Sequence, residues 1–239
     1  MALTAAAWRI RVIALSTCVF MSVVCAHAQP PKVSQIPRPK AAPVSKALAK
    51  SLEAWDSKLR EEAKNCAKDV ASIKAQDKDH PGLHEYDIRY KVLLDSPEIF
   101  SVGSVLNIYC GGPHPSVDEN AAVFDVTTGK PYDPLRLYAI ARHATYGSEL
   151  LPSVRSLVRQ RLLAHRRPFK QTDECIGVIQ RDEIQFIDKD TLALGVDGLH
   201  VMYTGPHAVQ SCYGQVVLPY ESLKKYLQAK EAKRIRWAH

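Results

Sequence analysis

Tyr109-Cys110-Gly111-Gly112-Pro113-His114-Pro115 separates two strand-like stretches and restricts the backbone more than any other segment of the chain. A glycine pair at a strand end supplies a positive φ or a close backbone approach that a β-carbon forbids. Each flanking proline fixes its own φ and removes a backbone donor. The turn is therefore expected to be stiff. Gly111 and Gly112 are expected to be critical for folding, and His114 to be presented outward for recognition. In the competing role, His114 bonds a nearby carbonyl and only locks the turn.

The segments around the turn read as its frame. Before it, Tyr86, Ile88, Tyr90, Val92 and Leu94 alternate with Asp87, Arg89 and Lys91, as in a half-buried strand. After Ser96-Pro97, the run Ile99 to Tyr109 places Phe100, Val102, Leu106 and Ile108 on one face, and the same period carries Cys110 onto it. Gly103 is expected to mark a bulge or bend. Beyond the turn, Ala121 to Val126 reads as a short strand and Thr127-Thr128-Gly129-Lys130 as a turn. Upstream, Leu48, Leu52, Trp55, Leu59, Ala63, Cys66, Val70 and Ile73 form a helical stripe that Ser45 can cap, and Asp77 to Gly82 ends it. Leu150, Leu151, Val154, Leu157, Val158 and Leu162 predict a second amphipathic helix, with Ser148 as its cap. Strands are expected at Ile184–Ile187, Leu192–Val196, Leu199–Tyr203 and Gln215–Pro219, with Asp197-Gly198 as a hairpin turn and a short closing helix over Tyr220–Leu227. The fold class expected is α+β: a largely antiparallel sheet covered by helices on one face, with an N-terminal amphipathic helix.

The amino-terminal end reads as an export signal. Arg9 and Arg11 precede the apolar run Val12–Val24, and Ala26-His27-Ala28 has the small-residue pattern of a cleavage site, so Gln29 is the expected first mature residue. The run falls short of the roughly 20 apolar residues that span a bilayer. Val24 before Cys25 suits a lipoprotein site poorly, because a small residue normally stands there. The expected organisation is a signal peptide (1–28), a Pro-rich linker (29–44), an N-terminal helix packed on the domain (45–76), an α+β domain (83–229) and a basic tail (230–239). The expected location is periplasmic or secreted. Once Cys18 and Cys25 leave with the signal, Cys66, Cys110, Cys175 and Cys212 remain. An even number in an exported chain suggests two disulfides, with three pairings open; one disulfide and two buried thiols is the alternative. Cys66 on the helix stripe and Cys110 on the core face of a strand are expected to pair, which leaves Cys175 with Cys212.

One combination of motifs resembles a known family. A strand ending in Gly111-Gly112-Pro113-His114-Pro115, followed by Phe124-Asp125-Val126-Thr127-Thr128-Gly129-Lys130 and a late Pro219-Tyr220, is similar to an extracytoplasmic domain of unknown general function. That domain forms the outer part of RsiV-like lysozyme-sensing anti-sigma factors and accompanies some peptidoglycan deacetylases. Its members typically carry Gly-Gly-Ala-His, so Pro113 is a departure. The resemblance runs from about Tyr86 to Leu227. It implies a partner class of cell-wall glycan or a wall-directed protein such as a lysozyme.

Candidate chemistry is sparse. The chain has no Walker loop, dinucleotide fingerprint, H-E-x-x-H or G-x-S-x-G, and no catalytic residue, cofactor or metal set is expected. His80 and His84 have helical metal spacing, but Pro81-Gly82 between them breaks a helix. The binding candidates are His114, Gly111, Gly112 and the loop histidine His207; Asp125 is a candidate neighbour of the same turn. The net charge is +7. Arg155, Arg159, Arg161, Arg166 and Arg167, with the tail from Lys230 to Trp237, offer peripheral contact with anionic envelope surfaces. Nucleic acid is not an expected partner after export. The expectation is a non-enzymatic binding domain. The alternatives are a hydrolase acting on envelope glycan and a structural envelope protein without a small ligand.

Overall fold

A computed structural model of the chain describes residues 32–80, 82, 84–112, 115–144, 147–164, 176–177, 179, 186–187, 191–202 and 215–235. The expected signal peptide, His114, His207, Cys175, Cys212, Arg166 and Arg167 lie outside the described residues.

The two alternating runs pair as antiparallel strands β2 (Glu85–Asp95) and β3 (Ile99–Tyr109), and β3 pairs in turn with β4 (Ser116–Asp125). A two-residue strand, β1 (Lys32–Val33), joins the outer edge of β2 in parallel, giving the order β1-β2-β3-β4. One face of this sheet is covered by helix α1 (Lys46–Gln76). The Ser45 hydroxyl accepts the Leu48 amide at 3.1 Å, satisfying one orphan donor of the first turn. Down the stripe, Leu48 and Leu52 pack on Phe100, Val102, Phe124 and Val126, while Leu59, Ala63 and Cys66 pack on Tyr86, Ile88 and Leu106. Trp55 touches both groups and lies 5.7 Å from the Tyr90 ring.

The alternation in β2 breaks where the register shifts between Val92 and Leu94. The extra residue lets both Leu93 and Leu94 enter a second, larger core with Ile99, Ala121 and Val123, and leaves Val92 exposed. The irregularity expected at Gly103 thus falls on the neighbouring strand. Gly103 itself is a site of close packing, because a β-carbon there would lie 3.3 Å from both Leu93 Cδ1 and Met202 Cε.

The remaining elements enclose that larger core. A 3-10 turn (Pro134–Arg136) leads to the hairpin β5 (Ala141–Ala144) and β6 (Gly147–Leu150), which pairs with β7 (Phe186–Ile187). Helix α2 (Pro152–Ala164) buries Val154, Val158 and Leu162. Strands β8 (Leu192–Leu194), β9 (Leu199–Val201) and β10 (Val216–Leu218) form an antiparallel sheet. Two short helices follow, α3 (Tyr220–Leu223) and α4 (Ala229–Arg234). The α+β class is as expected, with the strands among the described residues divided among three sheets.

Three local expectations are corrected. Ser148 does not cap a helix, because it lies in β6; α2 begins at Pro152, whose ring disfavours helical backbone at Leu151. The Pro-rich linker is, from Lys32 on, docked on the fold rather than a free connection. It runs along the outer side of β2, where β1 pairs in parallel and Ser34 N–H donates to Ile88 O at 3.0 Å. The amides of Lys40 and Ala41 donate to the Asp95 carboxylate at 2.7 and 3.2 Å. Ile36 and Ala42 pack beside Leu48 and Leu52. The basic tail is, as far as Ile235, part of the fold: Ala232 and Ile235 are buried in the larger core.

Candidate functional site

The glycine turn is fastened from two sides. β3 carries Cys110 to α1, where it forms a disulfide with Cys66 across 44 residues, the pairing expected from stripe and strand face. Gly111 then takes a left-handed φ of 76°. Its carbonyl accepts from His80 Nε2 at 3.2 Å, while the other ring nitrogen, Nδ1, accepts the Gly82 amide at 3.1 Å. A neutral imidazole has one donor and one acceptor, so this arrangement places the hydrogen on Nε2. A β-carbon at Gly111 would lie 3.1 Å from His80 Cε1 and 3.3 Å from Val70 Cγ2. Among the described residues, nothing lies within 4 Å of a β-carbon position at Gly112, and its φ is not left-handed. The steric demand therefore belongs to Gly111 alone, and the expectation of two equivalent glycines is corrected. His80, weighed in the sequence as half of a metal pair, is a brace for the turn. Among the described residues, no group of three His, Cys, Asp or Glu is placed to hold a metal ion.

Asp125 is not a neighbour of this turn. It pairs with Ile99 at the opposite end of β3, and at about 3.3 Å per residue the two ends are roughly 35 Å apart. Its carboxylate accepts the Thr128 amide at 2.8 Å and the Thr128 hydroxyl at 3.0 Å, and it also binds Arg234. Partial burial opposes its ionisation, but these bonds prevail and hold it below the usual carboxylate range. Arg234 continues to Glu231 at 3.1 Å, Arg136 reaches Glu231 at 2.8 Å, and the Tyr132 hydroxyl donates to it at 3.2 Å. Both guanidinium groups lie over the Tyr132 ring, at 5.6 and 5.1 Å from its centre. This network fastens α4 to the end of β4. Glu231 and Arg234, expected in a tail that contacts anionic surfaces, are instead engaged within the fold, and Arg136, which no sequence pattern singled out, joins them.

A second unread cluster lies at the β8–β9 hairpin. His200 Nε2 is 2.6 Å from Asp197 Oδ1, and the Tyr220 hydroxyl donates to Gly195 O at 2.7 Å. The spacing Asp197-Gly198-Leu199-His200 was the available signal. The imidazole is only 4% exposed, and among the described residues its Nδ1 has no partner. His200 is covered while Asp197 stands 58% exposed at the hairpin tip, and the bond between them braces the β8–β9 hairpin. On α2, Arg155, Arg159 and Arg161 are half-buried rather than spread on a solvated face. Among the described residues, no helix is long and apolar enough to cross a membrane.

No protein-family model matches the chain, and no curated protein matches it. Among solved structures, the chain is similar to a member of the DUF3298 family from Bacteroides fragilis, with 16% identity and a TM-score of 0.47 over 75% of this chain and 70% of that one. It is also similar to a DUF3298 family protein from Pseudomonas aeruginosa, with 15% identity and a TM-score of 0.38 over 66% of this chain and 69% of that one. Its structural neighbours thus include two proteins described as DUF3298 members.

Proposed function

We propose that the chain is an exported, non-enzymatic binding domain of the cell envelope, and that it recognises cell-wall glycan or a wall-directed protein such as a lysozyme through the turn that begins at Cys110. The observation that carries this reading is the double fastening of Gly111, by the adjoining disulfide and by His80. A turn held in this way loses little ordering entropy on contact, which favours recognition. The disulfide suits an oxidising compartment, in keeping with Arg9, Arg11, Val12–Val24 and Ala26-His27-Ala28 as an export signal. The ligand class comes from the resemblance carried by Gly111-Gly112-Pro113-His114 and Phe124-Asp125-Val126-Thr127-Thr128-Gly129-Lys130 to the domain of lysozyme-sensing anti-sigma factors and peptidoglycan deacetylases.

The test uses the mature protein. Co-sedimentation with insoluble peptidoglycan and capture on immobilised lysozyme are each measured for the parent and for His114→Ala. Retention on one of the two, lost in the variant at an unchanged melting temperature, is the expected result. A large fall in melting temperature would make His114 a turn lock. Unchanged retention would move the ligand surface elsewhere on the domain. Release of soluble fragments from peptidoglycan would replace this reading with a hydrolase, and retention on neither probe would favour a structural envelope protein. Mass spectrometry of the exported protein is expected to find Gln29 at the N-terminus; an intact, membrane-anchored N-terminus would refute processing.

A further inference from the structure

The end of the first sheet farthest from the glycine turn is basic, and three segments meet there. The turn 127–130 sits on the start of α1, since a β-carbon at Gly129 would touch the backbone of Ala47 and Leu48. Arg234 of α4 binds Asp125 at the end of β4. The chain leading into α1 is held at the same end by Asp95, the last residue of β2, which accepts the amides of Lys40 and Ala41. Lys40, Lys46, Lys50, Lys130, Lys230 and Lys233 are all exposed here. Among the described residues the ion-paired lysines are Lys64, Lys68 and Lys224, none of this group. Much of the acid at this end is already spent: Arg234 and Arg136 hold Asp125 and Glu231, and Arg38 holds Glu53 at 2.9 Å. That leaves Asp95, Glu98 and Asp133 against six lysines, so the local field is positive. α1 begins at this end, and the positive pole of its macrodipole adds to that field. The glycine-turn end has no such excess, because exposed Asp69, Asp77, Asp79 and Glu85 outnumber Lys74 and Lys78 there.

We propose that this basic end is a docking surface for an anionic lipid bilayer. The lysines stand on three separate segments. A continuous layer of headgroup phosphates meets all of them at once, whereas a single extended polyanion meets one row. Val44, 38% exposed between Lys40 and Lys46, adds an apolar contact at the headgroup layer. Because the excess charge lies at one end, the domain meets the bilayer in one orientation. The first sheet then carries the glycine turn away from the surface, by roughly 35 Å at about 3.3 Å per residue of β3. This surface goes beyond the proposed function and does not depend on a ligand at the turn.

The experiment uses the mature protein and vesicles of phosphatidylglycerol and phosphatidylcholine in equal parts, with pure phosphatidylcholine vesicles as the reference. Co-sedimentation is expected with the mixed vesicles alone. It is expected to be lost when salt is raised from about 0.1 M to about 1 M, which cuts the screening length from about 10 Å to about 3 Å. A lysine beside an anionic bilayer contributes about fivefold in partitioning, so the double variant Lys130→Gln/Lys233→Gln is expected to bind about 25-fold more weakly. Lys68→Gln/Lys78→Gln makes the same change in net charge at the turn end and is expected to bind as the parent does. Acetylation of the bound protein, read by mass spectrometry, is expected to spare Lys46, Lys50, Lys130, Lys230 and Lys233 and to modify Lys74 and Lys78 as in the free protein. Equal binding to pure phosphatidylcholine, an equal loss in the two double variants, or uniform acetylation would overturn the proposal. Retention on heparin without binding to vesicles would also overturn it, in favour of a soluble polyanion. His114→Ala keeps vesicle binding whether or not the turn takes a ligand, so failure of this surface and failure of the proposed function are distinguishable.

Discussion

Gly129→Ala is expected to destabilise the protein far more than an ordinary turn substitution. Gly129 has a φ of 67°, and its amide closes the turn onto Asp125 O at 2.8 Å. Left-handed backbone costs a residue with a β-carbon about 1–2 kcal/mol. The greater cost is steric. The new β-carbon would lie 2.4 Å from both Ala47 C and Leu48 N. These are backbone atoms of the first turn of α1, so relief requires moving the helix start. That turn carries the fully buried Leu48 and the Ser45 cap. Losing the burial of one leucine costs about 1.5–3 kcal/mol and losing a cap about 1 kcal/mol. The total is about 3–6 kcal/mol, against a typical whole-domain stability of about 5–15 kcal/mol. Urea unfolding of parent, Gly129→Ala and Gly129→Asn measures it. Asparagine tolerates left-handed backbone but keeps the β-carbon, so it is expected to lose nearly as much as alanine. Gly112→Ala serves as the control and stays within about 0.5 kcal/mol of the parent. A loss below about 1 kcal/mol in Gly129→Ala, or recovery in Gly129→Asn, would refute the close-approach argument.

Replacing Cys110 by serine opens a crosslink across 44 residues and is expected to cost about 4 kcal/mol in the chain-entropy account, read by urea unfolding; a non-reducing peptide map of the parent tests Cys66–Cys110 and the expected Cys175–Cys212 together. Burial opposes the charge on Glu231, but its bonds to Arg234 and Arg136 outweigh that and hold it below the usual glutamate range. A lowered folded value means stabilisation that is full above the unfolded pKa of about 4.3 and lost as pH falls through the folded one; melting temperature is therefore expected to drop on acidification below about pH 4, with a shallower drop in Glu231→Gln. Ile235 is fully buried, so Ile235→Ala is expected to cost about 2–5 kcal/mol; a change within about 0.5 kcal/mol, as at a surface position, would return residues 230–235 to the status of a tail.

What the sequence made legible was one-sided periodicity. α1 ends at Gln76 and β3 spans Ile99–Tyr109 as read, because each has one apolar face with a single period and a clear stop. The Cys66–Cys110 pairing followed from combining the two faces. Elements held by backbone bonds or by isolated apolar residues escaped. The segment beside β2 offers only Ile36 and Ala42 to the core, among prolines that mimic a linker. The β5–β6 hairpin, with Arg142, His143, Ser148 and Glu149, has no apolar face to reveal it. In α4, Ala232 and Ile235 are hidden among cations. At the turn, the demand on Gly111 was readable, but the difference from Gly112 lies in φ and in the approach of His80, which arrives from 31 residues away.

The register shift in β2 makes the first sheet a party wall. Tyr86 and Ile88 serve the compartment under α1, while Leu93, Leu94, Ala121 and Val123 serve the compartment behind it. No cut through the chain separates the two. A fragment ending before Pro134 would keep α1 and its partners, yet it would bare a contiguous apolar strip on the far side of the wall, and such strips drive self-association. Shortened versions of this protein are therefore expected to be limited by solubility before they are limited by secondary structure.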